Sequence, residues 1–104
     1  MNRQEIYQKY NGHCAYCGRE IAFRDMQVDH LIPKANGGTD DMDNLMPSCR
    51  SCNHYKRAES LESFRRMIET IPVKLGKREY IFKVGMTYGF WNDEKRKVKF
   101  YFEG

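Results

Sequence analysis

A small α+β domain built around a bound metal is the fold that this sequence predicts, and three observations carry the prediction. Two Cys-x-x-Cys knuckles, Cys14-Ala15-Tyr16-Cys17 and Cys49-Arg50-Ser51-Cys52, bracket a segment of strand-like alternation. A helical apolar period starts at the second knuckle and runs to Pro72. The resulting order of strand, loop, strand and helix, with a knuckle at each seam, fits an α+β unit rather than a βαβ repeat. At 104 residues the chain is one domain with a modest core, so a metal staple matters to its stability.

Each element has a local signal. Arg3 to Tyr10 reads as a short helix, with Ile6, Tyr7 and Tyr10 at helical spacing and Asn11-Gly12 stopping it; its expected job is to cover the metal lobe. The four cysteines then supply enough thiolates to close a tetrahedral Zn²⁺ shell without His30, His54 or Asp29. Phe23 to His30 reads as a strand, and Asn36-Gly37-Gly38 marks a tight turn that needs positive φ. The acidic loop Asp40-Asp41-Met42-Asp43 leads to a facing strand at Asn44-Leu45-Met46. From Ser51 to Ile71 a single helix is expected, with Ala58, Leu61, Phe64, Ile68 and Ile71 on one side and Pro72 ending it.

Beyond Pro72 two readings stand. Tyr80, Phe82, Val84, Met86, Tyr88 and Phe90 alternate as in a strand, while Tyr80, Val84 and Tyr88 also fit a helix ending at Gly89. Asn92-Asp93-Glu94 reads as a turn, and Val98 to Phe102 as a closing strand rich in β-formers. The expected organisation is a core of residues 1–73 and a basic, aromatic extension, 74–104, packed on the same domain.

Charge is unevenly placed. Residues 1–73 hold ten Lys/Arg and ten Asp/Glu, whereas residues 74–104 hold eight against four, so the net +4 lies in the tail. Lys95-Arg96-Lys97, interleaved with Phe100, Tyr101 and Phe102, suits a polyanionic partner. No apolar run approaches the roughly 18 residues of a membrane span. The N-terminal Met1-Asn2-Arg3-Gln4-Glu5 lacks a signal-peptide core, so a cytoplasmic location is expected, where thiols stay reduced and favour zinc over disulfides.

Inside the metal frame lie groups suited to phosphodiester hydrolysis. Such a reaction needs a base for water, a cation for the developing charge and contacts that align the strand. His30 is the candidate base, because its ordinary pKa lies near neutrality. Asp29 is a hard oxygen ligand suited to Mg²⁺ or Mn²⁺, and in extended backbone the two neighbours point to opposite faces. Asn44 can both donate and accept across the facing strand, bracing the His30 loop. Asn53 or His54 can supply a second ligand at the head of the helix, with Lys56 and Arg57 one turn on as phosphate contacts.

In order and spacing, Val28-Asp29-His30-Leu31-Ile32-Pro33, Gly37-Gly38, Asn44-Leu45 and Cys49-x-x-Cys52-Asn53-x-x-Lys56 resemble the HNH endonuclease family, in its four-cysteine phage and prophage version. The resemblance covers residues 14–57. It implies a ββα-metal (His-Me finger) site that cuts or nicks DNA with one divalent cation, with His30 as general base, Asp29 as metal ligand and Asn44 orienting the base. Lys34 joins Lys56 and Arg57 as an expected DNA contact. The cation expected is Mg²⁺ or Mn²⁺, with Ni²⁺ or Zn²⁺ as alternatives, beside the structural zinc of Cys14, Cys17, Cys49 and Cys52. At the third position this chain has Asn53 where the family name has histidine, as do the HNH domains of CRISPR effectors. Asn53 is the expected ligand because it falls with Lys56, Arg57 and Ser60 on a polar helix face, whereas His54 falls with Ala58 and Leu61 on the side expected to pack.

Three functions fit these residues. The first is a metal-dependent DNA endonuclease, encoded by a phage or prophage and acting in the bacterial cytoplasm, with a homodimer as one arrangement. The second is a zinc-stabilised DNA- or protein-binding module without catalysis. The third is a cleaving subunit directed by a phage packaging partner, and no membrane partner is expected.

Overall fold

The computed structural model describes residues 2–92 and 95–104. The chain divides into two compact units, Met1–Leu61 with Lys99–Gly104, and Glu62–Val98. The six C-terminal residues thus belong with the knuckles, where the sequence reading had grouped all of 74–104 as one extension.

In the first unit, helix α1 (Arg3–Gln8) starts at Asn2, whose side chain accepts a hydrogen bond from the Glu5 N–H. Its buried residue Ile6 packs with Met26 and Leu45, and Tyr7, Ile21 and Val28 close around them. That cluster is small. A 3-10 turn at Phe23–Asp25 precedes strand β1 (Gln27–His30), which pairs antiparallel with β2 (Leu45–Ser48). The register sets Asp29 opposite Met46 and His30 opposite Leu45. Pro47, with no N–H to give, is tolerated because a two-stranded sheet has only edges.

The first knuckle is fastened to this sheet by the Ala15 N–H, which donates to the Pro47 carbonyl at 2.8 Å. The closing strand expected at Val98 to Phe102 does not form. Instead Phe100 is buried and a 3-10 turn follows at Tyr101–Glu103, whose Tyr101 and Phe102 N–H groups donate to Tyr16 and Ala15. Phe100 and Phe102 both stand nearly perpendicular to the Tyr16 ring in T-shaped contact, so the alternation of a strand is lost to aromatic packing on the knuckle.

The single helix expected over 51–71 is interrupted. Helix α2 (Arg50–Lys56) begins at Cys49 and ends where Arg57 takes φ 55°, a conformation rare for a side chain of this kind. Lys56, the last residue of α2, is fully buried, whereas Arg57, Ala58 and Glu59 after it are exposed.

In the second unit, α3 (Leu61–Glu69) buries Phe64, and α4 (Ile71–Arg78) follows at once. Pro72 ends α3 as expected yet also sits in the first turn of α4, the one helical position where a missing N–H costs nothing. Residues Tyr80–Thr87 form helix α5, so the helical reading of the two wins there. Trp91 stacks on Phe82 at 5.2 Å and donates to its carbonyl, which fixes the return of the chain. Among the described residues the segment 74–104 therefore carries helices and a 3-10 turn, and the β structure expected of it is absent. The turn expected at 92–94 includes residues 93 and 94, which lie outside the described residues.

Candidate functional site

The four cysteines are free thiols whose sulfur atoms all lie within 4.8 Å of one another. In a tetrahedral zinc site, Zn–S bonds of about 2.3 Å place sulfurs about 3.8 Å apart. Cys17 and Cys49 are 3.8 Å apart here. The hydrogen bond with Cys52 brings the Cys14 thiol down to about 4, and the same bond pushes Cys52 up; burial pushes Cys17 up. Thiols this close compete for negative charge, and a bound cation is what lets all four ionise. The donor set and its spacing fit a metal ion.

Within β1, opposite Met46, Asp29 is buried. Tyr16, in the first knuckle, donates to Asp29 Oδ2 at 2.5 Å, and the Lys56 ammonium lies 3.0 Å from the same oxygen. Burial, followed by the charge of Asp29, pushes the Tyr16 phenol well above its ordinary range, so it stays a donor. Lys56 also donates to the His30 carbonyl at 3.1 Å and is fully buried. This corrects the expectation for Lys56: its ammonium braces β1 from inside and is not presented to a phosphate.

His30 is half-buried, and its Nε2 lies 2.7 Å from Asp40 Oδ1. The Lys34 ammonium holds the other Asp40 oxygen at 3.1 Å. The bond from His30 first, then that from Lys34, keeps the Asp40 carboxyl below its usual range. Asn44 is buried, accepts from the Ile32 N–H at 2.8 Å, and donates to the carbonyls of Ile32 and Thr39. It therefore ties down the loop that leaves His30. The same loop requires glycine at position 38, where a Cβ would collide with the Ile32 carbonyl, while Gly37 takes the expected positive φ of 89°.

Asp29, His30, Lys34 and Arg57 line one cleft of about 310 Å³. A larger cleft of about 910 Å³ is lined by Arg19, Arg24, Arg50 and His54 among others and holds none of those four. The chemistry-bearing side chains choose the smaller one.

Against known proteins, residues 14–59 match the family model described as HNH endonuclease. This segment is an HNH endonuclease domain. The chain is 40% identical over 55 residues to the CRISPR-associated endonuclease Cas9 of Corynebacterium diphtheriae, covering 52% of this chain and 5% of that protein. It is 29% identical over 86 residues to the Type IV methyl-directed restriction enzyme EcoKMcrA of Escherichia coli, covering 74% of this chain and 29% of that one. Its fold is similar to part of the crystal structure of the Type II-C Cas9 enzyme from Actinomyces naeslundii, with a TM-score of 0.58 and 27% identity over 64% of this chain and 7% of that chain. The chain thus spans a small fraction of each relative.

Within the HNH domain, α2 carries the third motif position. Asn53 is half-buried and stands three residues before Lys56, so it shares the helix face that Lys56 turns toward Asp29. His54 was expected on the packed side and is instead exposed, lining the larger cleft. The helix face it was expected to share with Ala58 and Leu61 does not form, because α2 ends at Lys56. Arg57 and Lys34 are both exposed on the cleft that holds His30.

Tyr16 and Asp40 were missed as site residues, and Lys56 was assigned the wrong surroundings. The spacing of Asn53-x-x-Lys56 was the available signal for Lys56. Replacing Lys56 with methionine keeps the stem and leaves the Asp29 charge buried and unpaired, which costs about 3–5 kcal/mol. Urea denaturation of the metal-loaded protein checks this; a loss below about 1 kcal/mol would show the pair to be dispensable.

Proposed function

We propose that this chain is a metal-dependent DNA endonuclease that hydrolyses phosphodiester bonds, by nicking or by double-strand cleavage. The observation that carries the reading is one cleft that brings His30 and Asp29 together with two exposed cations, Lys34 on the loop braced by Asn44 and Arg57 at the end of α2. His30 takes a proton from water, the hydroxide attacks phosphorus, and the P–O bond to the leaving oxygen breaks as that oxygen gains a proton. Lys34 and Arg57 hold the flanking phosphates.

Zn²⁺ is the ion proposed for Cys14, Cys17, Cys49 and Cys52. Asp29 and Asn53 would hold the catalytic cation, Mg²⁺ or Mn²⁺, which supplies charge stabilisation to phosphate and leaving oxygen. Tyr16 and Lys56 both meet Asp29 Oδ2 and would hold the carboxylate in place for that cation. A phage or prophage origin, action in the bacterial cytoplasm, a packaging partner and a homodimer belong to the same proposal and rest on the resemblance alone.

One observation favours a second reading. A carboxylate already paired with an ammonium is satisfied without a divalent cation, as suits a zinc-stabilised binding module. Incubation with supercoiled plasmid across Mg²⁺, Mn²⁺, Ni²⁺ and Zn²⁺ separates the two. Metal-dependent nicked or linear product supports the nuclease; retention of DNA with no product under any cation supports the module. In the same assay Asn53→Ala abolishes or strongly weakens cleavage, while His54→Ala leaves it intact. The opposite pattern would move the ligand role to His54.

A further inference from the structure

We infer that Asp40 is a positioning residue for His30, fixing which ring nitrogen is free to accept a proton from water. The inference rests on the reading of His30 as the base and adds to it a residue from outside the motif.

The geometry is specific. His30 ends β1, and Asp40 lies ten residues on, past the Gly37-Gly38 turn. Asn44 pins that turn by its bonds to Ile32 and Thr39, so the loop delivers Asp40 directly to His30 Nε2 at 2.7 Å. A neutral imidazole has one N–H and one lone pair, and a carboxylate only accepts. The Nε2 facing Asp40 must therefore carry the hydrogen, which places the lone pair on Nδ1. Among the described residues none makes a hydrogen bond to His30 Nδ1.

Lys34 completes the arrangement. Asp40 Oδ2 is held by its ammonium at 3.1 Å while Oδ1 faces His30, so the carboxylate is fixed at both oxygens and cannot swing away from the ring without breaking an ion pair. Asp40 does not itself reach the cleft lining. Its effect on cleavage runs through the imidazole.

The test uses the full chain and two independent readouts. The first is the ¹⁵N spectrum of the His30 ring in the folded protein without DNA, at a pH where the ring is neutral. The Nε2–H tautomer should dominate in the native protein, persist in Asp40→Asn, which keeps an acceptor oxygen, and give way to a tautomer mixture in Asp40→Ala. The second is single-turnover plasmid cleavage at saturating Mg²⁺ or Mn²⁺. With protein in excess, so that all DNA is bound, Asp40→Ala should lower the rate about 10–100-fold, the loss usual when the partner that orients a working imidazole is removed. Asp40→Asn should recover much of it.

A dominant Nδ1–H tautomer in the native protein would overturn the inference even if cleavage is robust. So would a faster Asp40→Ala protein, which would make Asp40 a group that blocks the base. If no variant or native protein cleaves DNA, the nuclease reading fails while the spectrum still decides whether Asp40 sets the tautomer.

Discussion

Cys49→Ser is expected to cost the protein its metal and, with it, the fold of the Met1–Leu61 unit. Cys49 acts at three levels. Its sulfur is one of four within 4.8 Å, it caps α2 by accepting from the Cys52 N–H at 3.4 Å, and it joins β2 to α2 in a buried position. The apolar cluster of Ile6, Met26 and Leu45 with three half-covered neighbours is small, and the other buried apolar residues, Tyr16, Met46 and Phe100 among them, pack on or beside the knuckles themselves, so the core leans on the cysteine cluster. Structural zinc in small domains supplies an apparent 10–16 kcal/mol, roughly as much as the about 5–15 kcal/mol by which whole domains are stable. A serine hydroxyl does not ionise at neutral pH and leaves the metal with three thiolates.

The measurements are metal content by mass spectrometry and thermal unfolding by circular dichroism. Native protein should carry one tightly held zinc and lose its cooperative melt on chelation. Cys49→Ser should carry little metal and melt without a cooperative transition. Carefully purified native protein that is free of zinc, or a Cys49→Ser protein with a native melt, would remove the metal from the account of stability. Because protons compete for the same sulfurs, metal retention should also weaken as pH falls.

The meeting of the four cysteines was legible because its signal is local: two x2 spacings state which sulfurs can meet, whatever the rest of the chain does. The facing strands and the turn at Gly37 were legible for the same reason. What escaped was decided at a distance. Lys56 reads as a solvated charge on a helix, and only the arrival of Asp29 and Tyr16 from two other segments makes its burial affordable in energy. The apolar period of residues 51–71 gave no sign that α2 ends at Lys56, and with that end His54 no longer shares a helix with Ala58 and Leu61. Phe100 and Phe102 carry a strand-like composition, yet the ring of Tyr16 offers both a better partner than a third strand would. Asp40 is one of several acids in a polar loop, and nothing in its neighbours distinguishes it from Asp41 or Asp43. The loop tie at Asn44 selects it.

His30→Ala is expected to leave a folded protein that binds metal and DNA yet cleaves about 10²–10⁴-fold more slowly, the usual worth of general-base assistance. The fold should survive because the His30 side chain is 25% exposed and Asp40, which it meets, is itself at the surface. Its backbone remains useful: the carbonyl still accepts from Lys56, and the β1–β2 register is unchanged. The cysteine knuckles lie on other segments. DNA affinity should change little and should fall as salt rises, since Lys34 and Arg57 release counterions from phosphate when they bind. Removing the ring also leaves space in the cleft beside Asp40, so added imidazole should restore part of the lost rate. That rescue separates a missing proton acceptor from a disturbed site, because a small base cannot repair a displaced strand. Metal content, melting temperature and anisotropy with labelled DNA establish that the variant is intact, and plasmid cleavage reads the chemistry. An intact His30→Ala protein that cleaves at the native rate would place the base elsewhere and reduce the Asp40 contact to a loop tie.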